Sequence, residues 1–96
     1  MNGPLTKAQL SFLRSKAHGL GPLLSLGKQG LTPGFVETAK RELAKHELLK
    51  IKVGKHVDVD ARALAEAAGA QLVQTVGRMI VVYRPAEEPI LELPRA

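Results

Sequence analysis

Gly27-Lys28-Gln29-Gly30 is the stretch of this sequence whose residue types and spacing could do chemistry. Glycines let a backbone approach a phosphodiester closely, and the lysine between them supplies a cation. The helix start at Thr32-Pro33, just beyond, offers unpaired amides to an anion. In some RNA-binding folds a GxxG loop clamps the nucleic-acid backbone in this way. With nine glycines in the chain such a spacing arises about once by chance, so the pattern alone equally describes an ordinary strand-to-helix turn.

The charge distribution bears on that choice. The 96 residues carry 14 Lys and Arg against 9 Asp and Glu, a net +5. Residues 1–55 hold ten basic and three acidic residues, a net +7, whereas residues 56–96 hold four and six, a net −2. A chain polarised in this way presents a basic surface that draws polyanions. Lys40, Arg41 and Lys45 could extend the surface around the loop, although Glu37 to Arg41 and Glu42 to Lys45 also have the spacing of intrahelical ion pairs. Only Phe12, Phe35 and Tyr83 are aromatic, and both phenylalanines fall at core positions, so contact with nucleic-acid backbone is expected over stacking on bases.

Other chemistries find little support. His18, His46 and His56 occur without cysteine and at separations that match no compact ligand set, so no metal site and no cofactor are expected. His46 falls on the apolar side of its helix, as a packed or hydrogen-bonded histidine would. No nucleophile elbow, phosphate-binding loop or dinucleotide fingerprint is present, and neither an enzyme nor a small-molecule substrate is expected. A chain of this size hides roughly 60–65% of its unfolded surface, which leaves little room for a deep catalytic cavity. The absence of cysteine fits a reducing compartment, and a cytoplasmic location is expected. No run approaches the roughly 20 apolar residues of a membrane span. The start Met1-Asn2-Gly3-Pro4 lacks the plan of a signal peptide, and Gly3 stands one residue late for myristoylation.

The elements that must position the loop follow from periodicity. Thr6 with Gln9 forms a capping box, and Leu10, Leu13 and Ala17 then share a helical face up to about His18, with Lys7 and Arg14 turned to solvent. Leu23, Leu24 and Leu26, bounded by Pro22 and Gly27, predict a short buried strand. Thr32-Pro33 starts a second helix with the core stripe Phe35, Val36, Ala39 and Leu43. Leu49, Ile51 and Val53 alternate with Lys50 and Lys52, the period of a half-buried strand with one basic, solvent-facing side. Asp58 or Asp60 caps a short third helix carrying Ala61, Leu64, Ala65 and Ala68 on one face. Leu72–Val76 and Met79–Tyr83 are strands joined by Gly77-Arg78, a pair suited to a type II′ hairpin, and the second is apolar on both faces, as an interior strand would be. The order α-β-α-β-α-β-β predicts a single α+β domain with a mixed four-stranded sheet and helices packed on it. Residues 1–85 are expected to form the domain and 86–96 an extended or partly ordered tail, in which Ile90, Leu91 and Leu93 could dock.

Four blocks in order, Ala17-His18, Gly27-Lys28-Gln29-Gly30-Leu31-Thr32, His46-Glu47-Leu48-Leu49-Lys50-Ile51-Lys52, and Val76-Gly77-Arg78 leading to Tyr83-Arg84-Pro85, resemble the chloroplast RNA splicing and ribosome maturation (CRM) domain in its stand-alone bacterial YhbY-like form. The resemblance implies a fold similar to the C-terminal domain of translation initiation factor three. It also implies a monomeric RNA-binding assembly factor that contacts ribosomal RNA in large-subunit precursors. It assigns RNA contact to Gly27, Lys28, Gln29 and Gly30, supported by Lys7, Arg14 and Lys16 on the first helix and Lys40 and Arg41 on the second. His18 and the block from His46 through Leu49 match as well, and the needs of folding explain them equally. Two features depart from the pattern: Gly21 stands where a lysine is expected before Pro22, and the third helix is shorter by about one turn. The alternative from the residues alone is a protein-binding adaptor that uses the hairpin edge or the acidic, apolar segment from Glu87 to Leu93.

Overall fold

The computed structural model describes residues 4–95; residues 1–3, which bear on the expected lack of a leader or acylation signal, and residue 96 of the tail lie outside the described residues. The expected order is observed: α1 (Lys7–His18), β1 (Leu24–Leu26), α2 (Pro33–His46), β2 (Leu48–Val53), α3 (Ala61–Ala67), β3 (Gln71–Val76) and β4 (Met79–Tyr83). The four strands form one mixed sheet in the order β1-β2-β4-β3. β1 runs parallel to β2 because α2 carries the chain back between them, while β2/β4 and β4/β3 are antiparallel.

Local chemistry accounts for each helix start. The Thr6 hydroxyl accepts from the Gln9 amide and the Gln9 side chain accepts from the Thr6 amide, both at 3.1 Å, closing the capping box of α1. Thr32 accepts from the Phe35 amide at 3.1 Å, with Pro33 in the first turn of α2. Of the two candidate caps for α3, Asp60 is the one used, through the amides of Arg62 and Ala63. The hairpin between β3 and β4 pairs Val76 with Met79. Gly77 lies at φ 57° and Arg78 is not among the positive-φ residues, as a type II′ turn requires.

The two faces of the sheet are covered differently. On one, α2 and α3 bury Ala39, Leu43, Leu64, Ala65 and Ala68 against Leu49, Ile51, Ile80 and Val82. On the other, α1 alone sets Leu13 and Ala17 over Leu48, Val73, Val81 and Tyr83, and Leu91 and Leu93 of the tail close the side of that cluster. β4, buried at Ile80, Val81, Val82 and Tyr83, is the interior strand its composition predicted.

Three expectations need correction. β1 is an edge strand in which only Leu26 is buried, and Leu23 just before it is 52% exposed, because no strand among the described residues pairs with its outer side. Lys50 is not on a solvated face: α1 covers that part of the sheet, and the Lys50 ammonium donates to the carbonyls of Ala17 and Leu20, both at 3.1 Å, at the C-terminal end of α1. His46, expected to be packed or hydrogen-bonded, is half-exposed and so not packed, and its polar contact is Nε2 at 3.5 Å from the Glu42 carboxylate.

Glu47, to which periodicity assigned no role, is 1% exposed. It ends α2 at φ 65°, a left-handed conformation that costs an L-residue about 1–2 kcal/mol, and its amide closes the helix on the Leu43 carbonyl at 2.8 Å. Its carbonyl accepts from Arg84 at 2.9 Å, which joins the start of β2 to the end of β4. Its carboxylate accepts three backbone N–H groups from the tail, Ala86 at 2.7 Å, Ile90 at 3.1 Å and Leu91 at 2.7 Å. The tail is therefore bound through its backbone, and Gln9 secures it further by donating to the Pro94 carbonyl at 3.0 Å.

Hydrogen bonds to a charged group are worth about 1.5–3 kcal/mol each, and a donor left unpaired costs a further share, so Glu47→Ala should destabilise the domain by about 3 kcal/mol or more in urea titration. Glu47→Gly should recover part of that loss by relieving the backbone. Tyr83, the one tyrosine of the chain, has its phenol pKa raised above 10.0 by burial and, to a lesser degree, by the Glu47 carboxylate. Because the folded state holds the proton more tightly, stability from this group is intact below about pH 10 and is lost as pH rises through the folded value. Phenolate absorbance should titrate above 10.0 in the native protein and return to that value in denaturant, and Glu47→Gln should lower the native midpoint.

Candidate nucleic-acid interface

The Gly27–Gly30 segment leaves the sheet at the end of β1, where Leu26 pairs with Val53 and accepts from the Gly54 amide at 2.9 Å. The Gly30 amide closes a four-residue turn on the Gly27 carbonyl at 3.0 Å, and the Thr32 amide follows onto Gly30 at 2.9 Å. Lys28 and Gln29 occupy the two central positions, both exposed. The two glycines differ in what the fold asks of them. Gly30 lies at φ 71°, where a side chain is strained whatever the space around it. Gly27 has no such angle, and a Cβ built there meets nothing within 4 Å, so the fold would accept a side chain at that position. A ligand backbone approaching the loop would not.

The other expected contacts divide between the two faces of the sheet. On α1, Lys7 is exposed, Arg14 points its Nε toward the Val73 carbonyl on β3 at 3.4 Å, and Lys16 lies 5.5 Å from the centre of the Phe12 ring. On α2, behind the sheet from α1, Lys40 is half-buried with its ammonium 3.7 Å from Glu37. Glu37 thus pairs at three residues' separation rather than with Arg41, which is exposed and makes no ion pair among the described residues. Lys45 pairs with Glu42 at 3.6 Å, as its spacing predicted. The nine residues therefore do not form one continuous patch.

What the tertiary structure adds at the loop's own end of the sheet is a second set of cations. Lys52, Lys55 and Arg78 line a cleft of about 480 Å³ together with Ser25, Val53 and Gly54. Arg78 is held there by donating from Nη1 to the Gly54 carbonyl at 3.0 Å, while its own carbonyl accepts from Val53 at 2.7 Å. No acidic residue lines the cleft, and none of the three cations makes an ion pair among the described residues. Periodicity missed this set because Lys50 and Lys52 share a strand face and look equivalent. The register that pairs Lys52 with Met79 is what brings Arg78 beside Gly54. The hairpin's glycine-arginine pair was the available signal, since it sets an exposed cation on a tight turn at this end of the sheet.

The described residues hold no group of three or more potential metal ligands, and no helix among them is long and apolar enough to cross a membrane.

Residues 5–84 match the family model of the CRS1 / YhbY (CRM) domain. The chain belongs to the CRM domain family. Two bacterial relatives match over nearly their whole length. A Haemophilus influenzae protein named "RNA-binding protein" is 38% identical over 95 residues, covering 95% of this chain and 96% of that one. The Bacillus subtilis protein named "Probable RNA-binding protein YqeI" is 39% identical over 95 residues, covering 94% and 99%. The solution structure of the hypothetical protein SAV1595 from Staphylococcus aureus superposes with a TM-score of 0.76 at 35% identity, over 95% of this chain and 100% of that one.

Within this CRM domain the two lysines on one face of β2 should separate on substitution. Lys50→Met removes two carbonyl partners at the end of α1 and should cost about 1–2 kcal/mol in thermal or urea unfolding. Lys52→Met, on an exposed position with no such partner, should leave stability unchanged.

Proposed function

We propose that this CRM domain is a non-enzymatic RNA-binding protein that grips RNA backbone through the Gly27–Gly30 loop and acts in the cytoplasm, as a monomer, on ribosomal RNA in large-subunit precursors. The observation that carries the reading is Gly27: the fold tolerates a side chain there, so the glycine is explained by what approaches from outside. Lys28 on the same turn supplies an exposed cation beside that backbone, and the capped start of α2 adds a favourable dipole. Membership of the CRM family and the RNA-binding names of its relatives support the same ligand class. Lys7, Arg14 and Lys16 on one face, with Lys40 and Arg41 on the other, serve as flanking contacts to a large, folded RNA that can reach around the sheet. Contacts of this kind position the protein, and the shape of the RNA supplies selectivity. In this reading residue 85 divides the RNA-binding domain from a tail that serves its stability.

A protein-binding adaptor is the second reading, favoured by a groove of about 340 Å³ where Leu20 is 44% and Leu23 52% exposed, between Lys16, His46 and Leu91 of the tail. Its partner would be lost on Leu20→Ser with Leu23→Ser while RNA binding persisted. Point substitution is the cleaner test, since truncation after Pro85 would strip the Glu47 carboxylate of its three donors.

The experiment for the ribosomal assignment is gradient sedimentation of cell extract at low and high salt, with wild type and a Lys28→Glu, Gln29→Ala variant. Co-migration of wild type alone with large-subunit precursors is the expected result; wild type remaining at the top at low salt would overturn it. In binding titrations on single-stranded RNA, Lys28→Ala should make the log-log salt dependence shallower by about 0.7. Gly27→Ala should keep or slightly raise the melting temperature while weakening binding, and unchanged binding would remove the close approach.

A further inference from the structure

We infer that the end of the sheet left bare by α1 is a seat for an unpaired RNA strand, continuous with the Gly27–Gly30 loop; the inference rests on the RNA reading above and deepens it. Ser25, Lys52, Met79 and Val76 are consecutive cross-strand partners through β1, β2, β4 and β3, so their side chains lie on one face in one row. That row crosses three strand spacings, about 14 Å. The previous row on the same face, Lys50, Val81 and Gln74, is the one α1 covers. The ammonium of Lys50 holds the C-terminal end of α1 at Ala17 and Leu20, so the helix stops one row short, roughly 6–7 Å back along the strands.

The chemistry of the bare row names its occupant. Val76 is 59% exposed and Met79 is half-buried beside it, an apolar strip in a chain that otherwise leaves few large side chains open. Lys52 follows Met79 in the row and lines a cleft with Lys55 and Arg78, none of which makes an ion pair among the described residues, and the Gly27–Gly30 loop begins one residue after the Leu26–Val53 pair next along the strands. Apolar surface flanked on one side by cations matches a strand whose bases are turned toward the protein and whose phosphates lie along the basic side. A duplex keeps its bases stacked inside and would set only sugar and phosphate against Val76 and Met79. Met79, with a polarisable thioether, suits contact with a base face where no aromatic residue is available.

The test is fluorescence anisotropy with a labelled single-stranded oligouridine and with an RNA duplex, across a salt series. Lys52→Ala with Lys55→Ala, which leaves the Arg78 hydrogen bond in place, should weaken single-strand binding roughly tenfold or more. It should also make the salt dependence shallower by about 1.4, at about 0.7 for each phosphate contact. Val76→Ser should weaken single-strand binding at unchanged salt dependence and leave duplex binding alone. If the double variant binds like wild type while Lys28→Ala does not, the loop reading stands and the strand seat falls. Preference of wild type for the duplex would equally overturn the seat. Failure of wild type to bind either RNA would overturn both readings, and a concentration-dependent dimer abolished by Val76→Ser would identify the strip as a contact between copies.

Discussion

The carboxylate of Glu47 is the point on which the remaining architecture depends. Buried among the end of α2, the start of β2 and the tail, it gathers three backbone amides that no strand or helix would otherwise satisfy. The same residue turns the chain from helix to strand at a left-handed angle and, through its carbonyl, ties the start of β2 to the residue after β4. A buried charge is tolerated only when its hydrogen-bonding capacity is filled, so the tail and the helix–strand junction stabilise each other. Because the tail donates from its backbone, its side chains are left to pack: Leu91 and Leu93 complete the cluster beneath α1. The burial of Tyr83 follows from the same closure, and its phenol registers the carboxylate electrostatically.

From that junction the sheet grows with unequal cover. Two helices seal one face and a single helix the other, and one helix cannot span four strands. Lys50 makes the inequality definite by holding the last carbonyls of α1 in place. The uncovered part of the sheet and the glycine loop are at the same end, opposite the Glu47 junction. Stability and exposed chemistry are thereby separated along the strands, and polar contacts at the open end can vary without disturbing the buried carboxylate.

Much of this was legible in the residues. Thr6 with Gln9, Thr32 with Pro33 and the Gly77-Arg78 pair act through hydrogen bonds or backbone angles only a few residues away, so their outcome does not wait on the rest of the chain. The apolar run Met79–Tyr83 announced an interior strand because only cover on both faces can bury such a segment. The role of Lys50, by contrast, was hidden: it and Lys52 occupy equivalent places in a period-two pattern, and only the reach of α1 distinguishes them. Glu47 was equally opaque, because its partners lie 39, 43 and 44 residues away and donate from backbone groups that leave no trace in side-chain type.

The sequence by itself determined the element order, the caps of α1 and α2, the mixed sheet and the family, since each depends on local hydrogen bonding, periodicity or an ordered set of motifs. Tertiary structure alone decided that β1 lies at an edge and that α1 and α2 carry their cations on opposite faces. It also decided that Lys52, Lys55 and Arg78 meet beside the loop. These are matters of which surfaces remain uncovered after distant segments have packed, and that is settled by the competition for buried area across the whole chain.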